Sequence, residues 1–440
     1  MIIDKYCFMG MSFSFKKTGV LLVIVLFLFS SFVPVYAQNS VETNQEKTVT
    51  GLFSLRDLLF NLHMRVLMRI GSYPSVSACI IKNDSVVWEN FYGFRDIKHL
   101  KKPDSETIYG VGSVTKTFTA TAYMHIFENG YCDLDDDVNM YLPFELRHPK
   151  FPEIPITIRD LLYHQSGISD YCIFSKEGMV DLLSYIVEYE DVGDWLEDVL
   201  VPGGRFYDDQ YWYKFEPGNT SKYSNIGYTV LGYMFQFITN QSLEDYCQEH
   251  IFTPLEMYNT SYHIINLRIS NVAVPYFKRL GLYLPLPYYD LKGFAGMCGI
   301  HTTLTDISHF LIMHMNNGTY RGVRILGNDT IGLMHDTCYE GYIDPQSAKL
   351  PSFLKKWKER WYGIGWWSTE SWFDERVEGH GGMIPGYVAY MMANMSEKIG
   401  FIVLSNHMDI MEFQETVKFF LKTDTYMGMG RLLLRKAREL

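Results

Sequence analysis

Strand-forming runs stand near both ends of this 440-residue chain. They lie early at Val76–Ile81 and Val86–Tyr92, and late at Val388–Asn394 and Gly400–Leu404. Each is rich in β-branched and aromatic residues. The early pair flanks Asn83-Asp84, which predicts a hairpin, and the stretch from about 130 to 290 reads mostly as helices separated by loops. The pattern predicts one antiparallel sheet built from the two chain ends, flanked by helices and carrying an inserted all-helical subdomain, in the α/β (α+β) class. Three more helices are expected: Leu52–Ile70 with a stop at Gly71, one opening at Gly112-Ser113 and stopping near Asn129-Gly130, and Met411–Leu421. The expected boundaries are 1–37 for a leader, 38–50 for a linker, 51–424 for the folded domain and 425–440 for a tail. Within the domain the sheet part takes about 51–112 and 290–424, and the helical part about 113–289.

Charge narrows the function. There are 39 Lys and Arg against 50 Asp and Glu, a net charge of −11. A nucleic-acid binder needs a basic face to release counterions, so no nucleic-acid partner is expected. With 47% hydrophobic and 16% aromatic residues, the chain fills a large core and is not disordered. Lys16 and Lys17 precede an apolar run from Val20 to Phe29, then Pro34 and the small or branched pair Val35 and Ala37. This reads as a signal peptide cleaved after Ala37, placing the chain outside the cytoplasm, secreted, periplasmic or at the cell surface. The rival is an uncleaved anchor, since Gly19 to Ala37 is uncharged and close to the roughly 20 residues that span a bilayer; a membrane partner is expected only in that case. Apart from Cys7, the cysteines Cys79, Cys132, Cys172, Cys247, Cys298 and Cys338 are too scattered for a disulfide framework and read as buried thiols.

Several motifs fail on their chemistry. Asp133-Leu134-Asp135-Asp136-Asp137 lacks the turn glycine and closing Glu of a calcium loop, and reads as a solvated loop capping the next segment. No His-Glu-x-x-His occurs, and His309 and His314 are five apart; no metal is expected. The aromatic cluster at Phe206, Tyr207, Tyr211, Trp212, Tyr213 and Phe215 suits a pocket lining or a packed surface loop equally.

Ser113-Val114-Thr115-Lys116 carries more. A serine hydroxyl is a poor nucleophile until a base takes its proton. A lysine three residues on shares its helix face, and burial lowers the amine's pKa so that it can accept that proton. At a helix start, the Ser113 N–H points towards a developing oxyanion. Downstream stand Tyr223-Ser224-Asn225 and His380-Gly381-Gly382. A phenol beside an ammonium has its pKa lowered for proton shuttling, and a Gly-rich strand offers a second oxyanion N–H at Met383.

In this order, Ser-x-x-Lys, Tyr-x-Asn and a His-headed third motif, the chain resembles the serine β-lactamase and penicillin-binding-protein superfamily. The likeness is to its branch of class C β-lactamases, D-aminopeptidases and related esterases. LDDDVNMYLP, ITIRDLLYHQSGISDY, SLEDYCQEHIFTPLEM and GMCGIHTTLTDISHF extend it from about residue 50 to 420. The resemblance implies a helix-flanked sheet with an all-helical subdomain, a site at their junction, and acyl-enzyme chemistry with no cofactor. It implies Ser113 as nucleophile, Lys116 as its base and Tyr223 as the proton carrier to the leaving group. Asn225 would orient Lys116 and substrate, His380 would position Tyr223 and substrate, and the Gly382 approach with the N–H groups of Ser113 and Met383 would form the oxyanion hole.

Many relatives hold a substrate carboxylate with Lys-Thr/Ser-Gly at the third motif. Here His380 and Gly381 supply neither a permanent cation nor a hydroxyl. The expected activity is therefore a secreted serine hydrolase acting on esters or small-peptide amides. The alternatives are a β-lactamase or D-Ala-D-Ala carboxypeptidase, and a catalytically silent relative that binds a ligand in the same cleft. The expected partner is a small ester, peptide or β-lactam.

Overall fold

Alternation along the strands sends every second side chain to each face of a sheet, and here both faces are covered. The computed structural model describes residues 55–174, 191–291, 293–336, 339–340, 361–370, 373, 375–408 and 416–440. The leader, the linker, Cys338 and residues 411–415 of the last expected helix lie outside them. Eight antiparallel strands make the main sheet: β1 (Ser75–Lys82), β2 (Ser85–Gly93), β3 (Tyr339–Glu340), β4 (Trp361–Tyr362), β5 (Trp367–Thr369), β6 (Val377–Ile384), β7 (Tyr387–Asn394) and β8 (Ile399–Ser405). Their spatial order is β2-β1-β8-β7-β6-β5-β4-β3. The two chain ends meet in the register Val76↔Ser405 to Lys82↔Ile399, as the placement of the strand runs predicts. The hairpin at Asn83-Asp84 forms, with Asn83 in the left-handed region at φ 58°.

The helices are α1 (Leu55–Gly71), α2 (Thr115–Glu128), α3 (Ile158–Leu162), α4 (Tyr171–Phe174), α5 (Val192–Leu200), α6 (Asn225–Thr239), α7 (Leu243–Cys247), α8 (Leu304–Met315), α9 (Asn328–His335) and α10 (Thr416–Ala437). On one sheet face Val76, Ala78, Ile80, Val403 and Phe401 pack with Met64 and Met68 of α1 and Met427, Met429 and Leu433 of α10. On the other, Cys79, Ile81, Ile402 and Leu404 join the larger core built on Phe118, Met124, Phe310 and Leu311. Residues Leu55–Leu440 form one compact unit. Four thiols, Cys79, Cys132, Cys247 and Cys298, are free and buried.

Two expectations need correction. Residues 425–440 are not a tail: α10 runs to Ala437 and buries Tyr426, Met429 and Leu434. Gly428 and Gly430 interrupt its apolar residues and obscure the helical period; Gly430 is needed because a Cβ there would strike the Phe401 ring. The inserted region is not wholly helical either. Tyr276–Arg279 and Leu282–Pro285 pair as a hairpin over Leu280-Gly281, strands too short and too Pro-flanked to read as alternation.

Candidate active site

Gly112 takes φ 53°, a conformation glycine adopts without strain. The chain can therefore turn through Gly112–Val114 directly into α2. The N-cap of α2 is Val114, so the Ser113 hydroxyl is not spent on capping. One helical step on, Lys116 is fully buried, and its Nζ lies 3.2 Å from Ser113 Oγ. The same amine donates to Asn225 Oδ1 and to the Met297 carbonyl, both at 2.8 Å. Two fixed acceptors hold two N–H groups and leave the third direction on Ser113. When the amine loses a proton, its lone pair faces the hydroxyl. Burial holds the Lys116 pKa well below the usual amine range, against the weaker opposing pulls of Cys298 and Asp170.

Asn225 is held in turn. Its Nδ2 donates to Asp170 Oδ2 at 2.8 Å, and its backbone N–H and that of Ile226 donate to Asp170 Oδ1 at 2.6 and 3.1 Å. A carboxylate only accepts, so Asp170 forces the amide nitrogen towards itself and the oxygen towards Lys116. Burial pushes the Asp170 carboxyl up, against the pull of those N–H donors and of Lys116. Ser224 caps α6 by accepting from Gly227 N at 2.9 Å, which fixes Tyr223 and Asn225 on either side of the helix start. Asp170 lies inside ITIRDLLYHQSGISDY, where no motif marks it. A half-buried acid in a loop has no spacing to its partner that sequence alone can measure.

The aromatic cluster is a brace for that loop. Ser169 N donates to the Tyr211 carbonyl and Tyr213 N to the Gly167 carbonyl, both at 2.8 Å, and Tyr211 and Trp212 are buried.

Tyr223 shares a hydrogen bond with Ser113, and Lys116 Nζ stands over its ring, 5.0 Å from the centroid. The expectation of a lowered phenol pKa is corrected. Desolvation pushes it well above the ordinary value, and the Ser113 hydrogen bond offsets only part of that. Tyr223 is thus a protonated phenol, a donor. His164 flanks it with rings 4.5 Å apart and accepts from Ser224 N at 3.1 Å through Nδ1.

On β6, a Cβ added to Gly382 would collide with the Val111 carbonyl, and one on Gly112 would stand 2.7 Å from Met383 N. The missing side chains let strand and turn touch, which brings the Ser113 and Met383 N–H groups into one place. β5 pairs with β6 only from Val377 to Gly379, so Gly381 to Met383 lie beyond that register. His380 is 3% exposed: its Nδ1 donates to the Gly381 carbonyl at 2.6 Å, and Tyr362 Oη donates to Nε2 at 3.1 Å. Its ring is 6.2 Å from that of Tyr223. The imidazole is built into the wall, and the cleft-facing part of this motif is backbone. A Cβ on Gly381 would meet the Tyr390 ring at 2.8 Å.

The aspartate run belongs elsewhere. Asp135 pairs with Arg159 and Asp137 with Arg147, and Asp137 caps Val138–Met140. Among the described residues no group of His, Cys, Asp and Glu is arranged to hold a metal ion.

The family model described as Beta-lactamase matches residues 60–419. Protein flp of Staphylococcus aureus (strain MW2) is 25% identical over 344 residues, covering 76% of this chain; the chain spans 60% of the length of that protein. The octameric penicillin-binding protein homologue from Pyrococcus abyssi superposes with a TM-score of 0.63 at 26% identity, over 79% of this chain and 73% of that one. A class C beta-lactamase superposes with a TM-score of 0.64 at 17% identity, over 87% of this chain and 98% of that one, a likeness of fold.

Proposed function

Since the chain belongs to the beta-lactamase family of serine hydrolases, with penicillin-binding-protein homologues among its structural neighbours, we propose that it hydrolyses short esters, or amides of small peptides, through an acyl-enzyme on Ser113. The observation that supports this best is Lys116: fully buried, two N–H groups fixed, and the third direction on the Ser113 hydroxyl. Ser113 Oγ attacks the carbonyl carbon as its proton passes to Lys116, and the charge on the carbonyl oxygen collects between the N–H groups of Ser113 and Met383. As the ester or amide bond breaks, Tyr223 donates its proton to the leaving group and takes up in its place the proton held by Lys116, whose Nζ stands over its ring. Water then attacks the acyl carbon as its proton passes to the same groups, and the bond to Ser113 Oγ breaks as that proton is returned to the oxygen, releasing the acid. Asn225 and Asp170 keep the amine oriented throughout.

The substrate class follows from what the third motif lacks. A carboxylate on the substrate gains most from a fixed cation and a hydroxyl donor. Here the imidazole is in the wall and Gly381 has no side chain. Uncharged short esters, or amides without a free carboxylate, will show higher kcat/KM than penicillin or a peptide ending in D-Ala. Side-by-side kinetics with intact-mass detection of the Ser113 adduct decide it. A wild-type preference for penicillin or the D-Ala peptide would install the β-lactamase or carboxypeptidase reading. Export is proposed with it, from the basic, apolar and Val35-x-Ala37 segments. N-terminal sequencing of secreted material should begin at Gln38, and recovery of only membrane-bound full-length chain would favour the anchor.

A further inference from the structure

Helix α1 buries Met64 and Met68 against the sheet and leaves Leu58, Leu62, Val66 and Ile70 exposed, Leu58 and Ile70 each at 61%. Spaced by four, they form one ridge along the helix, and Leu59 widens it. A soluble helix normally turns such a ridge to the core. The charges beside it all have one sign. Arg56, Arg65 and Arg69 are exposed, and the single acid of the helix, Asp57, is paired with Lys436 of α10 at 2.7 Å. On a chain of net charge −11 that local bias is marked.

A second element repeats the pattern. The hairpin Tyr276–Pro285 has no acid and presents Leu280, 94% exposed, and Leu282 with Arg279 at its tip. It is tied to the end of α1: Lys278 Nζ donates to Ser72 Oγ and Tyr283 Oη to the Ser72 carbonyl, both at 2.9 Å. Tyr283 and Lys278 face Ser72, and their alternates Leu282 and Arg279 face away from it. Apolar tips flanked by guanidinium groups suit the boundary between lipid headgroups and acyl chains, where leucines enter hydrocarbon and arginines meet phosphates. No described helix is long and apolar enough to cross a membrane, so α1 would lie along the surface.

We propose that the outer ridge of α1 and the tip of the 276–285 hairpin form a docking surface for an anionic phospholipid bilayer. The test uses the full chain with an environment-sensitive fluorescent amino acid at Leu62 or Leu282, and at the exposed Tyr258 as control. Vesicles of phosphatidylglycerol with phosphatidylcholine should shift emission to the blue at 62 and 282 but not at 258, and vesicles of phosphatidylcholine alone should do so far less. The triple change Arg65→Gln, Arg69→Gln, Arg279→Gln should raise the lipid concentration needed for half the shift by roughly 100-fold, at about 1 kcal/mol per basic residue removed. Thermal unfolding checks that this variant is folded, and the comparison of lipids on the otherwise unchanged chain stands if it is not. The proposal is overturned by no shift at 62 and 282, by equal shifts on both lipids, or by emission already blue-shifted without lipid, which would mean that residues 1–54 or a second copy covers the ridge.

Discussion

At the scale of single residues, the site is a chain of constraints ending on one hydroxyl. Asp170 fixes Asn225, Asn225 and Met297 fix Lys116, and Lys116 faces Ser113. Ser113→Ala and Lys116→Ala should each cost about 10⁴-fold or more in kcat/KM, and the double change little more, because groups acting as one unit are not additive. Near wild-type turnover in Ser113→Ala would place the nucleophile elsewhere. Lys116 works as a base only when neutral, and its pKa is lowered to about 7. The rate should therefore climb as pH rises through that value. Asp170 pulls the Lys116 pKa up by its charge, so Asp170→Asn should move this ascending limb to lower pH. The same change frees Asn225 to rotate and should reduce kcat by about 10- to 100-fold through misplacement of the amine. A pH profile with its limb unmoved would separate Asp170 from Lys116.

At the scale of elements, the site needs a helix start and a strand to touch, and Gly382 makes that possible. Gly382→Ala would push β6 off the Val111 carbonyl and away from Ser113 N, opening the space between the Ser113 and Met383 N–H groups proposed as oxyanion donors. Loss of one such donor typically costs 10²–10³-fold, so kcat should fall about 100-fold with KM changed much less. An unchanged kcat would show that the Met383 N–H takes no part. These contacts also explain how far the sequence was legible. Ser113 and Lys116 are one helical step apart, Tyr223 and Asn225 straddle one cap, and the strands are runs of β-branched and aromatic residues buried on both faces, so short motifs in a family-like order made them legible. Asp170, the Met297 carbonyl and Tyr362 reach the site from separate elements, through backbone atoms or across long stretches of chain, and leave no period behind. The protonation of the Tyr223 phenol is not legible in the sequence because its pKa is set by desolvation, which depends on packing from every side.

At the scale of the whole molecule, the sheet joins the first strands to the last, so the C-terminal helix is part of the core rather than an appendage. Lys436 reaches Asp57, Tyr73 Oη bonds Thr425 Oγ1 at 2.9 Å, and the Tyr426 ring lies 4.4 Å from Tyr73 and 5.1 Å from Tyr390. Tyr426, Met427, Met429, Leu433 and Leu434 are all buried beyond residue 424. At about 1.5–3 kcal/mol for each large apolar side chain, removing them withdraws roughly 8–15 kcal/mol. Typical domains are stable by only about 5–15 kcal/mol, so the loss is of the order of the whole. A chain ending at Asp424 should therefore be insoluble or melt without a cooperative transition. Met429→Ala alone, leaving a cavity under β8, should cost about 2–5 kcal/mol and lower Tm while the transition stays cooperative. Calorimetry on both distinguishes the outcomes. A truncated chain that melts cooperatively at the full-length Tm would mean that the sheet holds its own face closed and that α10 contributes nothing to it.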